Sequence, residues 1–358
     1  LSETLAVGFG GDAALIWPDG HQSLTQQRIK FMTRKIALEE AITTPATKDY
    51  LAITLAVAST PESAAALTQA LEDSDQRIGA MDDAGIDIFV LSQTSPGVQA
   101  EKDAGIAVAR AHEANDFMQA LIKQHPDRYR GFAHLAMQDV RAAGDELQRC
   151  VEELGFLGAM INGQTNGVYL DDACYQPFWE RVVRLGVPIY IHPANPHIQP
   201  YVLDGYSVLQ GATWGWTTDN SSHCLRLLFS GLFDRFPDLT IILGHMGETL
   251  PYFLWRLDSR YATTNNVCGL QKAQPSDYFR SNLIITTTGV CQDSALQCAL
   301  AEMGDDRVLF SVDYPYEDTK KAAEWIENTP VLTDQAQRDK VCYRNAERVL
   351  RLGEQMQA

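Results

Sequence analysis

The chain has 358 residues, 45% of them hydrophobic, and its 29 basic against 46 acidic side chains leave a formal charge of −17. That hydrophobic share excludes a disordered chain, and the length supports a large core without disulfide staples. The acidic surplus argues against a phosphate-neutralising nucleic-acid surface, although a local cation can still attract a small anion.

In chain order, residues 1–31 stand apart. Trp17-Pro18-Asp19-Gly20 is a turn signal between two short apolar stretches. Met32 opens a strand-like segment, so residues 1–31 read as an N-terminal extension without a catalytic role and 32–358 as one domain. From Lys35 onward, short β-branched runs alternate with polar loops and amphipathic helical patterns. Strands are predicted over residues 35–39, 86–92, 131–135, 158–161, 188–192, 239–244, 283–287 and 307–313. Helices are predicted over 104–123, 141–154, 175–185, 222–236, 293–303 and 322–328. Such alternation means βαβ units and a parallel sheet. Eight units suit an α/β fold of the (β/α)8 TIM-barrel type better than a six-stranded open sheet. No Gly-rich phosphate loop follows any strand, which counts against a nucleotide-binding doubly wound fold and any organic cofactor of that kind.

The segment 195–218 reads as a long loop after the fifth strand, where barrel enzymes carry function. Its Tyr201, Tyr206, Trp214 and Trp216 fit either an aromatic pocket or a small core of the loop's own. The pocket wall is expected from residues 41–45, 92–97 and 201–216. No apolar run reaches the roughly 18 residues that cross a bilayer. The seven cysteines are odd in number and form no C-x-x-C pair, unlike a secreted disulfide framework or a Cys-rich zinc site. These features read as a soluble cytoplasmic protein with no membrane or nucleic-acid partner.

Four predicted strands end in groups that bind metals or move protons. The first ends in Glu39-Glu40, the fifth in His192-Pro193 and the eighth in Asp313-Tyr314-Pro315; the sixth runs into Gly244-His245-Met246-Gly247-Glu248. Alone, each has an ordinary structural reading: a hydrogen-bonded histidine, or an aspartate that starts a turn. Together they would meet at one barrel mouth, where one imidazole and two carboxylates can ligate a divalent cation. Glu40 reads as a neighbour of Glu39 that supports it. His112 and His125 read as surface groups, and His134 as structural with a pocket-wall role open. His197 and His223 flank the long loop within possible reach of the mouth.

These segments resemble the metal-dependent decarboxylases of the amidohydrolase superfamily, above all the γ-resorcylate, dihydroxybenzoate and salicylate decarboxylases. The matching stretches are Lys35-Ile-Ala-Leu-Glu-Glu-Ala41, Glu146 to Ala159, Ile191-His-Pro-Ala-Asn-Pro196, Leu225 to Pro237, Ile241-Ile-Leu-Gly-His-Met-Gly-Glu248 and Leu309-Phe-Ser-Val-Asp-Tyr-Pro315. The resemblance implies Glu39, His192 and Asp313 as metal ligands and His245, partnered by Glu248, as the active-site histidine. Asn195 matches the relatives' loop after the strand-five ligand, and Arg256 falls where relatives have an arginine that can reach a neighbouring subunit's site; with Trp214 of the aromatic loop, these are the expected substrate contacts. A homodimer or homotetramer is therefore expected. Position 41 is alanine where many superfamily members have a histidine ligand, and the fourth strand has no lysine to bridge two metals. Both departures favour one divalent ion, with Mg²⁺, Mn²⁺ and Zn²⁺ left open.

The implied reaction is reversible, non-oxidative loss of CO₂ from an ortho-hydroxybenzoate such as 2,3- or 2,6-dihydroxybenzoate or salicylate. Direct loss would leave an aryl anion, so the ring carbon is protonated first. Asp313 is the implied donor, and His245, oriented by Glu248, would hold the phenolic oxygen or relay the proton. The alternative is a hydrolase on the same scaffold, cleaving a lactone or amide with metal-bound water.

Overall fold

The computed structural model describes residues 32–55 and 60–355; the extension over residues 1–31 lies outside the described residues. Nine parallel strand segments run in sequence order: β1 Ile36–Ile42, β2 Ile88–Gln93, β3 Tyr129–Gly131, β4 Ala133–His134, β5 Ala159–Asn162, β6 Ile189–His192, β7 Ile241–Leu243, β8 Leu283–Thr286 and β9 Val308–Leu309. They pair as β1-β2-β3 and as β4 through β9. β3 and β4 are one stave bent at Phe132, whose N–H turns to Leu91 O (2.9 Å) while Ala133 N–H turns to Gly158 O (2.8 Å). Eight staves result, with helices between them, as the sequence pattern requires for a (β/α)8 barrel.

Closure between β9 and β1 is made mostly by side chains. Ser311 Oγ accepts the N–H groups of both Leu38 (3.1 Å) and Glu39 (2.8 Å). The register against β2 slips between Ala37 and Glu40, the mark of a bulge. Beyond it, Ala41 N–H donates to Tyr314 O at 2.7 Å. β9 is shorter than the predicted 307–313 because its later backbone groups are taken elsewhere. Phe310 N–H bonds Val341 O (2.8 Å), Ser311 N–H bonds Thr287 Oγ1 (3.0 Å) and Val312 N–H bonds Glu40 Oε1 (3.0 Å).

The inner layer of the barrel is apolar at its lower levels. Ile36, Leu38, Ile88, Val90, Phe132, Met160, Tyr190, Ile242, Ile284 and Leu309 form one cluster, stoppered from below by Ala346, Leu350 and Leu352. Alternate residues of the same strands, such as Phe89, Ile161, Ile191 and Leu243, pack outward against the helices. Both faces of each stave are thus buried, which is why the strands read as unbroken apolar runs. At the upper level the inward positions become polar or vanish: Ser92, His134, Asn162, His192, Gly244, Thr286 and Ser311. That change of character marks the mouth.

The six predicted helices fall near their places with one revision, and three further long helices, Pro61–Glu72, Ser74–Ala84 and Leu250–Tyr261, lie outside them. The predicted 222–236 helix is two, Gly215–Phe229 and Leu232–Arg235, broken where Gly231 takes φ +72°. The long loop therefore ends at Trp214 rather than Thr218, after three short turns over Tyr201–Leu203, Ser207–Leu209 and Gly211–Thr213. No helix among the described residues is long and apolar enough to cross a membrane.

His134 and His223 are structural acceptors. Burial pushes each imidazole down to about 3, so both stay neutral. His134 Nε2 accepts Val98 N–H (2.9 Å), and His223 Nε2 accepts Leu170 N–H (3.0 Å). Gly97 is glycine for this reason, since a Cβ there would stand 2.4 Å from His134 Nε2. A folded-state pKa below the unfolded value near 6.5 makes stability complete above about pH 6.5 and progressively lost below it. Each group contributes up to about 1.4 kcal/mol per pH unit on that acid limb. The variant His223→Gln keeps an acceptor but cannot titrate. Denaturant titrations from pH 8 to pH 5 should show a shallower acid limb for it than for the wild type; equal slopes would refute the assignment.

Candidate active site

Glu39 is the deepest functional group at the mouth. Ala37 and Ile42 both pack outward although five positions separate them, so the bulge has shifted the alternation. The shift turns Glu39 inward and Glu40 outward. Glu39 is 2% exposed. Its Oε2 accepts the Tyr190 hydroxyl, which also bonds Thr286 Oγ1 at 2.8 Å. Its Oε1 is buried with no hydrogen-bond donor. Burial drives the carboxyl up to about 7, with the His245 imidazole pulling it down and Asp313 pushing it up. Gly244 must lack a side chain here, because a Cβ would lie 2.5 Å from Glu39 Oε2 and 2.9 Å from the Tyr190 oxygen.

His192 ends β6. Its Nδ1 donates to Pro193 O at 2.6 Å, leaving the Nε2 lone pair facing Glu39 Oε1 at 3.3 Å. Burial lowers this imidazole to about 4, so it is neutral. Two lone-pair atoms face each other with no proton between them. Ligands about 2.1 Å from one ion stand about 3.0–3.4 Å apart. The pair therefore has the spacing of two ligands of a divalent cation, and the orphaned oxygen is the acceptor such an ion satisfies.

Asp313 follows β9 with φ +87°, a left-handed conformation rare outside glycine. Glu40 holds it there. The buried Glu40 carboxylate accepts Ser311 Oγ–H (3.0 Å), Val312 N–H (3.0 Å) and Tyr314 N–H (3.1 Å), clamping the backbone on either side of Asp313. Burial pushes Glu40 up to about 8, against the pull of these donors.

His245 and Glu248 sit on a left-handed turn. His245, Met246, Gly247, Glu248 and Thr249 have φ of 49°, 56°, 75°, 53° and 66°. Such backbone costs roughly 1–2 kcal/mol per non-glycine residue, and the turn spends it on aiming side chains. His245 Nδ1 meets Glu248 Oε1 at 2.9 Å, and Asn220 Nδ2 donates to the same oxygen at 3.0 Å while also bonding Ile191 O. Burial opposes charge on His245, but Glu248, Glu39 and Asp313 outweigh it and raise its pKa well above the usual value. His245 Nε2 lies 3.9 Å from Glu39 Oε1 and 3.8 Å from Asp313 Oδ2. Glu39, His245 and Asp313 offer ligand atoms all within 4.8 Å of one another. By geometry alone this trio clusters more tightly than the expected Glu39, His192 and Asp313, with His192 joined to it through Glu39.

A cavity of about 840 Å³ opens from His245, Glu248 and Asp313. Its walls are Trp214 and Trp216 on one side and Tyr252 and Phe253 on another, with Gly289, Ser294, Cys298 and Glu317 beyond. The expected wall from residues 41–45 and 92–97 is absent from this lining; the chain over 245–253 and 289–298 replaces it. Tyr201 and Tyr206 stand out in solvent, 88% and 65% exposed. Asn195 does not line the cavity. Its Oδ1 accepts Trp216 Nε1–H at 2.7 Å, so it positions that ring. Arg256 is exposed on the helix Leu250–Tyr261 and lies outside the lining of its own chain's cavity. His197 and His223 do not reach the cavity lining either.

Sequence reasoning missed Tyr190, Asn220 and the clamp formed by Glu40 and Ser311. Tyr190 had a signal: a hydroxyl two residues before His192, on the same inward face of an otherwise apolar strand. Asn220 had none.

The amidohydrolase family model matches residues 65–352. A γ-resorcylate decarboxylase of Polaromonas sp. (strain JS666) is 43% identical over 331 residues, spanning 90% of this chain and 99% of its own. A dihydroxybenzoic acid decarboxylase from Polaromonas sp. JS666, solved with manganese and the inhibitor 2-nitroresorcinol, superposes with a TM-score of 0.84 at 42% identity over 90% of this chain and 98% of that one. The 5-carboxyvanillate decarboxylase of Sphingomonas paucimobilis matches with a TM-score of 0.82 at 34% identity over 89% and 99% of the two chains.

If Glu39 is held by Tyr190, Tyr190→Phe should weaken divalent-metal affinity about tenfold, by removing the donor that fixes a ligand. Metal titration of the stripped protein reads this, and unchanged affinity would rule the support out. The chain belongs to the amidohydrolase family, among its aromatic-acid decarboxylases.

Proposed function

We propose that the protein removes CO₂ without oxidation from an aromatic acid carrying a hydroxyl ortho to its carboxylate, with 2,6-dihydroxybenzoate the first candidate. The observation that carries this reading is the orphaned, buried Glu39 oxygen opposite the bare His192 nitrogen, with Asp313 and His245 opening from it into an aromatic-walled cavity. Glu39, His192 and Asp313 would hold one divalent cation. The inhibitor on the Polaromonas enzyme, a nitro group between two hydroxyls, supports an acid of that substitution pattern.

When bound, the cation supplies charge that offsets the substrate's carboxylate and phenolate in a strongly acidic protein. The chain does the rest. Asp313 gives a proton to the carboxyl-bearing ring carbon. The bond to the carboxylate then breaks, its electron pair restores the aromatic ring, CO₂ leaves, and Asp313 regains a proton from solvent. His245, fixed by Glu248 and Asn220, holds the phenolic oxygen as its electron density shifts. Trp214 and Trp216 cover the ring and keep water away. The steps run backwards at high bicarbonate.

Turnover should require the ortho hydroxyl. Salicylate-type acids should react, faster with a second hydroxyl, while benzoate and 3-hydroxybenzoate should not. His245→Ala should lower kcat by about 10²-fold or more, the scale of a lost acid–base group, while the metal stays bound. Metal analysis with CO₂ release distinguishes the cases. Loss of metal in His245→Ala would make His245 a ligand, and cleavage of a lactone or amide with inert hydroxybenzoates would favour a hydrolase.

A second copy of the chain is proposed as the partner. Tyr201 and Val202 of the long loop and Tyr252 and Trp255 of the neighbouring helix are each more than 70% exposed, an apolar surface of the kind that oligomers cover. Arg256 lies on the same helix, free to reach another subunit's cavity. Sedimentation should show a dimer or tetramer, and mixing Arg256→Ala with Asp313→Asn should restore part of the activity in hybrid oligomers. A fully active monomer would overturn both points.

A further inference from the structure

The face opposite the catalytic mouth carries a second cavity, of about 440 Å³. It lies where the strands begin: Pro188 precedes β6, Thr240 precedes β7 and Arg307 precedes β9. Arg348 and Arg351, from the segment that stoppers the barrel, complete a group of three guanidinium side chains.

Their pairing is unusual. Acidic residues outnumber basic ones 46 to 29 in this chain, so an arginine's ordinary neighbour is a carboxylate. Here Arg348 donates to the Asp306 backbone carbonyl, and Arg351 packs against Gly186, where a Cβ would meet its guanidinium at 2.8 Å. Neither forms an ion pair with a residue whose side chain is described. Arg307 donates through Nη1 to Ser281 O (2.8 Å), but its Nε is buried without an acceptor. The nearest carboxylate, Asp306, stands 3.7 Å from that nitrogen, too far for a hydrogen bond. Burial lowers the Arg307 pKa and Arg348 lowers it further, while Asp306 raises it. Asp238 is the one carboxylate in the lining. Val182, Val187 and Val349 form an apolar wall beside the cations.

We infer that this cavity binds a small organic oxyanion, with its charged group on Arg307, Arg348 and Arg351 and its carbon part on the valine wall. Arg348 and Arg351 are exposed and share one cavity lining with Arg307, and guanidinium groups gathered in this way suit phosphate and carboxylate oxygens alike. The site is separate from the metal centre: the apolar interior layer of the barrel lies between them.

Isothermal titration of the metal-loaded full chain tests this, with phenyl phosphate, benzoate and inorganic phosphate as probes at constant ionic strength. At least one probe should bind saturably in the millimolar range or tighter. The double variant Arg348→Gln/Arg351→Gln should weaken that binding about tenfold, and Asp238→Asn should strengthen it several-fold. A gain of affinity is a readout that misfolding cannot imitate. Turnover without added anion should be unchanged in all variants. Stronger binding of phenyl phosphate than benzoate identifies phosphate esters as the source of the ligand, and the reverse identifies carboxylates. Binding insensitive to all three substitutions would place the anions at the catalytic metal and overturn the inference, as would no saturable binding at all.

Discussion

The structure depends on one carboxylate kept away from water. Glu39 is enclosed by the upper layer of the barrel, one oxygen bonded to Tyr190 and the other to nothing. An isolated buried charge costs several kcal/mol, and the rise of the Glu39 pKa to about 7 reflects that cost. A divalent cation held there, as proposed, would remove the penalty by giving the orphaned oxygen its partner. Several local features then follow. The bulge turns Glu39 inward, Gly244 makes room for it, Tyr190 reaches it from the layer below, and His192 presents a bare nitrogen beside it. None of these choices has an evident purpose in a barrel without that carboxylate.

Strain is concentrated where side chains must be aimed. The five left-handed residues from His245 to Thr249, and Asp313 at φ +87°, depart from what the sequence would adopt locally. Each departure is overdetermined by burial. Met246 is 5% exposed, Gly247 lies so close to Ile285 that a Cβ would stand 2.8 Å from it, and Glu40 grips both neighbours of Asp313. The packed barrel thus holds His245 and Asp313 in fixed directions, and in the proposed reaction that preorganisation would lower the cost of reaching the transition state.

The staves were legible because parallel strands are buried on both faces and leave apolar runs such as Ile241-Ile242-Leu243. The metal-capable groups were legible because they follow those runs directly. What stayed hidden was anything set by long-range contact. β9 stops at Leu309 although apolar and β-capable residues continue, because Val341, Thr287 and Glu40 claim the next backbone groups. The outward aim of Glu40 follows from a bulge that Ser311, more than 270 positions away, stabilises. The cavity wall comes from residues 245–253 and 289–298 because a left-handed turn redirects the chain after β7, and nothing in the sequence announces that turn except Gly244 and Gly247. Asn195 and Trp214 show the same limit: both stand in the expected loop, yet one supports a neighbouring ring and the other lines the cavity.

The two ends of the barrel divide the handling of charge. At the mouth, carboxylates outnumber cations, so the proposed anionic acid would need a bound divalent ion to reverse the local sign. At the opposite end, three guanidinium groups gather in an acidic chain around a lining whose described residues include one carboxylate, Asp238. Between them the interior holds Ile36, Leu38, Ile242, Ile284 and Leu309, a buried layer of apolar side chains. Because that layer is close-packed, a change at either end can reach the other only by moving whole staves, not by a local current of charge. The apolar layer is therefore what would let one barrel keep the proposed cation site and an arginine cavity on the same set of strands.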